Sequence, residues 1–268
     1  MPPFELAAIR VHPVKACRAI EPARWPLDAI GLRHDRSFML VDGAGRFLSQ
    51  REQPRLALVR TALDATALTL DVPGRAPLTL PLAGQGRRVE VEVWRHRGPA
   101  LDCGDAAAAL LSDFLGLACR LVRLAPDHAR RVSPVHFPGE AHTAFTDGYP
   151  LLLLSEASLL DLNRRLPTPL PVDRFRPNLV VRGCAPYAED AWRRIRVGSV
   201  EIAVVKPCER CIVTTTDQAT GVREGNEPLR TLATYRRSEG GVRFGQNAVP
   251  LGVGTLEVGA PVEVLEAA

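Results

Sequence analysis

Lysine is almost missing from this sequence of 268 residues. Of its 34 basic residues only Lys15 and Lys206 are lysines, and each stands two residues before a cysteine. Aromatic residues are also scarce, at 5%, and the net charge is a mild +4. Acidic residues are mixed among the arginines, so there is neither a basic tail nor an arginine–aromatic stripe. These absences give no support to nucleic-acid binding, and we predict no nucleic-acid partner.

Long apolar stretches are missing as well. The uninterrupted ones, such as residues 150–154, are short, whereas about 20 residues are needed to cross a bilayer as a helix. The first six residues lack the basic and apolar regions of a signal peptide. We therefore predict no membrane span and a cytoplasmic location, where the 6 cysteines should be mostly reduced.

The common nucleotide and hydrolase motifs do not occur. There is no G-x-x-x-x-G-K-[ST] loop and no glycine-rich dinucleotide fingerprint after a strand. The serines lack the flanking glycines of a nucleophile elbow. The sequence therefore contains none of the motifs that would best indicate nucleotide hydrolysis, nicotinamide chemistry or serine hydrolysis.

Short strands separated by turns dominate the patterns that are present. Residues 66–72 and 78–82 flank a Pro-Gly turn, and apolar and charged residues alternate strictly over 89–93, which is typical of a half-buried strand. Helices are predicted over 106–114, which Asp105 could cap, and after Ser155. Strands are also predicted over 4–14 and 46–49. The pattern predicts a mainly β protein with a few helices (α+β), built from barrels rather than a parallel sheet.

Cys208 and Cys211 form the most chemically suggestive motif, Cys-Glu-Arg-Cys. A zinc site would need a second ligand pair, and the other cysteines are scattered singly. A redox dithiol normally opens a helix, but the β-branched residues 212–216 disfavour one. A single thiolate ligand for a soft metal is the third interpretation. The spacing alone leaves redox, metal-binding and structural roles open.

Arg174, Arg176 and Asn178 precede an apolar strand, where loops commonly present ligand-binding groups. Guanidinium forks bind phosphate in bidentate fashion. A solvated strand entry is the alternative, because arginines are abundant throughout. Asp147 and Asn247 stand in candidate turns and carry little meaning alone.

Taken together, the motifs resemble a known family. The segments that resemble the N-terminal β-barrel domain that accompanies MOSC domains are 12–17 (HPVKAC), 31–36 (GLRHDR) and 49–56 (SQREQPRL). The segments that resemble the MOSC domain itself are 145–162, 175–178 (FRPN), 187–192 (YAEDAW), 208–215 (CERCIVTT) and 244–247 (FGQN). The resemblance implies an N-terminal β-barrel-like domain over 1–125, packed with a MOSC β-barrel domain over 126–268.

The resemblance also implies a molybdenum–molybdopterin cofactor, with Cys211 as the metal ligand and catalytic residue. The positions that would bind the cofactor are Lys15, Arg36, Asp147, Arg176, Asn178, Cys208, Glu209, Arg210 and Asn247. The relatives that are implied, amidoxime-reducing components and bacterial detoxifying MOSC proteins, reduce small N-hydroxylated substrates. Because the chain ends after its last predicted strand without a ferredoxin-like cysteine set, we expect a separate electron donor, either a flavin, haem or iron–sulfur protein. A sulfur carrier or sulfurtransferase and a plain cofactor carrier are the alternatives.

Overall fold

The computed structural model describes residues 4–84 and 86–268. Its α-helices are α1 (Asp105–Leu115), α2 (Glu156–Arg165) and α3 (Leu229–Ala233). The strands of the first half are β1 (Phe4–Ile9), β2 (Arg24–Asp28), β3 (Gly31–Leu32), β4 (Phe38–Val41), β5 (Arg60–Leu63), β6 (Ala67–Asp71), β7 (Leu78–Pro81), β8 (Arg88–Val93), β9 (His96–Asp102), β10 (Arg120–Leu124), β11 (Arg130–Arg131) and β12 (His142–Thr143). Those of the second half are β13 (Leu151–Ser155), β14 (Leu179–Arg182), β15 (Trp192–Val197), β16 (Val200–Arg210), β17 (Arg237–Ser238), β18 (Gly241–Pro250), β19 (Gly254–Glu257) and β20 (Pro261–Ala267).

A closed barrel forms the larger part of the fold. Its strands follow the order β13-β14-β1-β20-β15-β16-β18, and β18 closes the ring by pairing with β13. The first strand of the chain, β1, is inserted between β14 and β20, so the N-terminal segment helps to build a barrel that otherwise comes from later residues. Side chains alternate along β16, where Val200, Ile202 and Val204 point into the apolar core.

Two smaller sheets pack around α1. Strands β4, β10, β9 and β8 form one antiparallel sheet, and β5, β6 and β7 form another. Leu111 and Phe114 of α1 are buried against Leu68 and Leu121 from these sheets. The mainly β class with few helices is thereby confirmed, whereas the division into domains at residue 125 stays a prediction.

Several local predictions are confirmed and others are wrong. The predicted hairpin is the β6–β7 pair, and helix α1 ends at Gly116, whose φ of +73° suits glycine. The strand predicted over 4–14 ends at Ile9, and residues 46–49 form only two isolated bridges, Phe47 to β4 and Arg46 to β8. Asp105 does not cap α1, because its carboxylate accepts a hydrogen bond from Arg120 Nη2 at 2.8 Å instead.

The cap of helix α2 allows a first prediction. Ser155 is buried, and its Oγ accepts a hydrogen bond from the Ser158 backbone N–H at 3.0 Å. Ser155→Ala should lower the free energy of unfolding by about 1 kcal/mol, because the cap is lost at a site that water does not reach. Urea denaturation would measure this, with the exposed turn residue Ser199 replaced by alanine as the control. Equal effects of the two substitutions would contradict the assignment.

Candidate functional site

One cavity opens where loops from both halves of the chain meet, and we call it the cysteine cavity. Every site residue that the sequence predicted lines it: Lys15, Arg36, Asp147, Arg176, Asn178, Cys208, Glu209, Arg210, Cys211 and Asn247. The structure thus brings together positions that are up to 232 residues apart in the chain (15 to 247). What each of them binds stays a prediction.

The cysteine pair lies at the end of strand β16. The pairing of β16 with β18 shifts register between Pro207 and Glu209, so Cys208 occupies an irregularity of the kind that redirects side chains beside functional sites. Cys211 follows the strand directly, and residues 212–215 form a single 3-10 turn. Both thiols are partly buried. Because β-structure precedes the pair and no α-helix follows it, this arrangement differs from that of a helix-opening dithiol.

Two arginines contact the two sulfur atoms. The Nη1 of Arg210 lies 3.0 Å from Cys208 Sγ, and the Nη2 of Arg51 lies 3.2 Å from Cys211 Sγ. Arg210 also donates through Nη2 to the Phe175 carbonyl at 2.6 Å. Guanidinium donors at these distances stabilise negative charge on sulfur. Each thiol therefore has its own cationic hydrogen-bond donor.

A second part of the cavity, away from the cysteine pair in sequence, is cationic. A buried network of hydrogen bonds holds its side chains in place. Arg36 donates to Asp35 Oδ2 at 2.5 Å and to Asn178 Oδ1 at 3.0 Å. Asn178 also accepts from the Leu152 N–H and donates to the Arg10 carbonyl, so protein groups already occupy its amide. Asn178 therefore orients Arg36 and the start of strand β13, and it offers little free hydrogen-bonding capacity to a ligand.

Arg176 differs from Arg36 because it has unused capacity. Its Nη2 is buried and has no hydrogen-bond partner among the residues that the structure describes. Burial and the charge of Arg36 lower the pKa of the Arg176 guanidinium to about 10. The backbone at Arg176 adopts a left-handed φ of +56°, which holds the side chain at the loop end of β14. A buried, unpaired guanidinium N–H is costly without a partner, and an anionic ligand would supply one.

Lys15 and Asp147 form an ion pair at the wall of the cavity, with 2.6 Å between Nζ and Oδ1. Burial lowers the pKa of Lys15 against the opposing effect of Asp147. Desolvation alone would raise the pKa of the Asp147 carboxyl, but the charges of Lys15 and Arg51 outweigh it and hold this pKa well below its usual range. The Trp94 indole N–H adds a hydrogen bond to the same carboxylate at 3.2 Å.

This pair gives a pH-dependent prediction. The native pKa of Asp147 is depressed, so its carboxylate stabilises the fold above the unfolded pKa of about 4, and the contribution is lost as the pH falls through the native pKa. Asp147→Asn should cost about 1 kcal/mol at pH 7, a modest amount because the Asp147 side chain is 70% exposed. Urea denaturation from pH 7 down to pH 3 should show the two proteins converging. Asp127→Asn, which removes the partner of Arg88 on the open surface, is the control and should change stability less. A difference that grows toward low pH would contradict this sign.

The donor set limits which metal-binding groups the cavity can hold. Over residues 4–84 and 86–268 no group of three or more His, Cys, Asp or Glu side chains is placed to hold a metal ion. A closed zinc site made of protein ligands needs four. The soft metal donors that the cavity itself offers are the thiols of Cys208 and Cys211, and its cationic side chains include Arg36 and Arg176.

Sequence reasoning missed several residues that shape the cavity. Arg51 stands in the motif over 49–56, but nothing local indicates that it reaches Cys211, which is 160 positions away. Residues 127–139 have no periodic pattern in the sequence, yet Arg130 is buried and donates to the Thr146 carbonyl at 2.5 Å and the Asp147 carbonyl at 3.0 Å. Lys206 contacts the cavity residue Glu209, with 3.4 Å between Nζ and Oε1. Only the folded chain reveals these contacts.

Two family models match successive parts of the chain. The MOSC N-terminal beta barrel domain matches residues 3–118, and the MOSC domain matches residues 140–263. The mitochondrial amidoxime-reducing component 1 of Homo sapiens is 36% identical over 280 residues, which cover 97% of this chain and 82% of that protein. The same component of Mus musculus is 34% identical over 279 residues, with the same coverage.

A second kind of relative shares the matched region. The molybdenum cofactor sulfurase of Oryza sativa subsp. japonica is 34% identical over 263 residues, which cover 90% of this chain but 32% of that protein. Within the described residues, no helix has both the length and the apolar character needed to traverse a membrane.

Proposed function

Because the chain belongs to the MOSC family, we propose that it binds a molybdenum–molybdopterin cofactor in the cysteine cavity and reduces small N-hydroxylated compounds. One observation carries the proposal: a thiol, Cys211, and a guanidinium with an unpaired buried N–H, Arg176, face the same cavity. These are the groups that a dithiolene-bound metal and a terminal phosphate require.

The residues of the cavity fit such a group from end to end. Arg36, Arg176 and Lys15 supply positive charge for the phosphate. Arg36 is paired with the buried Asp35 and Lys15 with the exposed Asp147, whereas the Nη2 of Arg176 has no partner among the described residues. Cys211 supplies the protein sulfur for the metal. Asn247, whose Nδ2 donates to the Pro207 carbonyl at 3.3 Å, and Glu209 line the wall between the two ends. We assign them to the pterin and to its immediate surroundings.

The proposed reaction is R–NH–OH + 2 H⁺ + 2 e⁻ → R–NH₂ + H₂O, in which the N–O bond breaks and the nitrogen is reduced. The bound molybdenum would supply the two-electron exchange and the affinity for oxygen. The protein supports this by keeping the surroundings of the thiol ordered. Phe175 is buried and packs on Phe244 with ring centroids 4.5 Å apart, and its carbonyl anchors Arg210. Phe175 thereby holds Arg210, which is the hydrogen-bond donor to the Cys208 sulfur.

The electrons would come from a separate redox protein that carries flavin, haem or an iron–sulfur cluster. The 6 cysteines of the chain are all free, which suits a reducing compartment such as the cytoplasm. We further propose that the physiological use is detoxification of N-hydroxylated bases and amines, a wider class of substrate than the amidoximes for which the relatives are named.

The test of the proposal is a reductase assay with protein made in a cofactor-competent host. With reduced methyl viologen as donor, benzamidoxime and hydroxylaminopurine should be converted to the amidine and the amine. Apo-protein from a host that cannot make the cofactor is the control and should be inactive. Molybdenum-loaded protein that turns over neither substrate would overturn the proposed reaction.

Sulfur transfer is the second candidate, and one observation favours it. Cys208 is a second thiol in the cavity, and its sulfur has its own donor in Arg210, which could stabilise a persulfide. Incubation with a cysteine desulfurase and cysteine, followed by intact-mass spectrometry, tests this. A gain of one sulfur that Cys208→Ala abolishes, together with absent reductase turnover, would favour the sulfurtransferase.

A further inference from the structure

Arg51 is the one residue of the N-terminal half whose side chain reaches a sulfur of the cysteine pair within the described residues. Its Nη2 lies 3.2 Å from Cys211 Sγ. Among the described residues this guanidinium forms no ion pair within 4.0 Å, and it interacts with the Asp147 carboxylate only at longer range, through its charge. The sulfur of Cys211 is the hydrogen-bond acceptor that it meets.

Aromatic stacking holds Arg51 in place. The guanidinium carbon lies 4.5 Å from the centroid of the Trp94 ring. Trp94 in turn contacts Phe47, with centroids 4.9 Å apart, and donates to Asp147, which pairs with Lys15. A planar guanidinium on an indole face keeps a fixed orientation, and the stacking leaves its N–H groups free to point in the ring plane. The stack therefore aims a charged donor at the sulfur.

We propose that Arg51 is a positioning residue that fixes the Cys211 sulfur and withdraws electron density from it when the metal is bound. The inference rests on the proposed function, because the effect operates through the cofactor. A charged hydrogen bond to a ligating sulfur weakens its donation to the metal and so favours the reduced state. Arg51 thereby raises the reduction potential of the metal and sets how readily it accepts electrons.

The chain offers a matched control for mere packing. Arg55 belongs to the same segment and stacks on Phe114 at 4.4 Å, but it does not line the cysteine cavity. If stacking alone matters, Arg51→Met and Arg55→Met should behave alike. If the hydrogen bond to sulfur matters, only Arg51→Met should change the properties of the bound metal. Arg51→Lys keeps the charge without the planar fork, and its properties should lie between those of the wild type and Arg51→Met.

The experiment compares loaded wild type, R51M, R51K and R55M. We measure molybdenum content, the midpoint potential by redox titration, the electron paramagnetic resonance spectrum of the half-reduced protein, and kcat and KM with benzamidoxime. R51M should have a lower midpoint potential, a shifted spectrum and a kcat lower by about 10- to 100-fold, with KM within about twofold of wild type. R55M should match the wild type in all four.

The outcomes separate this inference from the proposed function. R51M and R51K with normal molybdenum, potential and spectrum would overturn the role of Arg51 and leave the reductase proposal intact. Loss of molybdenum from R51M alone, at an unchanged apo-protein melting temperature, would support a role at the metal. Wild-type protein without molybdenum would overturn the proposed function, and the inference would fall with it.

Discussion

Cys211→Ala is expected to abolish molybdenum binding and reductase turnover together. Molybdenum content, measured by elemental analysis, should fall at least about tenfold, and turnover should fall below about 1% of wild type, because a thiolate ligand contributes strongly to the affinity for a soft metal. The described residues offer no substitute cluster, since no group of three metal-binding side chains is present there. The thiol of Cys208 is tied to Arg210 at 3.0 Å and belongs to strand β16 rather than to the turn after it.

Two cysteine variants are the controls for this prediction. Cys184 is buried outside the cavity, near Ser155, so Cys184→Ala should keep its metal. Cys208→Ala tests the neighbouring thiol in the same cavity and should retain most of the molybdenum. Full metal content in the Cys211 variant, or equal loss in the Cys208 variant, would show that the ligand has been assigned to the wrong sulfur.

Arg176→Met should have opposite effects on the apo-protein and on cofactor binding. Without cofactor, the substitution removes a buried N–H that lacks a partner among the described residues, so the apo-protein should gain about 1 kcal/mol of stability. With cofactor, a charge-assisted hydrogen bond of about 2 kcal/mol is lost, which corresponds to roughly 30-fold weaker retention. Thermal denaturation of apo-protein and dialysis of loaded protein measure the two effects.

Arg174 provides the comparison for this substitution. It stands two residues earlier but donates through Nη1 to the Thr215 carbonyl and through Nη2 to Asp217, each at 2.9 Å, so both of its Nη atoms have protein partners and only its Nε has none among the described residues. Arg174→Met should therefore destabilise the apo-protein. If Arg176→Met also lowers apo stability and leaves cofactor retention unchanged, Arg176 has a structural role and does not bind the phosphate.

The positions of the candidate site could be predicted from sequence, because proteins that share a fold carry the same short motifs in corresponding loops. The resemblance to the MOSC family, carried by motifs such as those over 175–178 and 208–215, identified residues that meet in one cavity. Which of these residues are free to contact a ligand, and which only hold other residues in place, could not be predicted. The sequence predicts that the Asn178 amide binds a ligand, but in the structure this amide forms hydrogen bonds with Arg36, Leu152 and Arg10. Such assignments depend on which partners the fold brings within reach.

Prediction of the fold from sequence also succeeds for local features and fails for contacts between distant segments. Local signals predicted the β6–β7 hairpin and the Ser155 cap, because turn and cap chemistry acts over a few residues. The insertion of β1 between β14 and β20 joins segments more than 170 residues apart, from Glu5 to Arg182, and leaves no local trace. The same is true of Arg130. The sequence around it lacks any periodic pattern, but its side chain donates a hydrogen bond to the Asp147 carbonyl.

A single-turnover experiment tests the central claim most directly. Molybdenum-loaded protein is reduced with dithionite, freed of reductant on a desalting column under argon, and mixed with hydroxylaminopurine. Because the donor has been removed, any product reflects electrons stored at the metal. The account predicts about one molecule of amine per molybdenum, as a two-electron reduction requires. Fully loaded, reduced protein that yields no amine would contradict it.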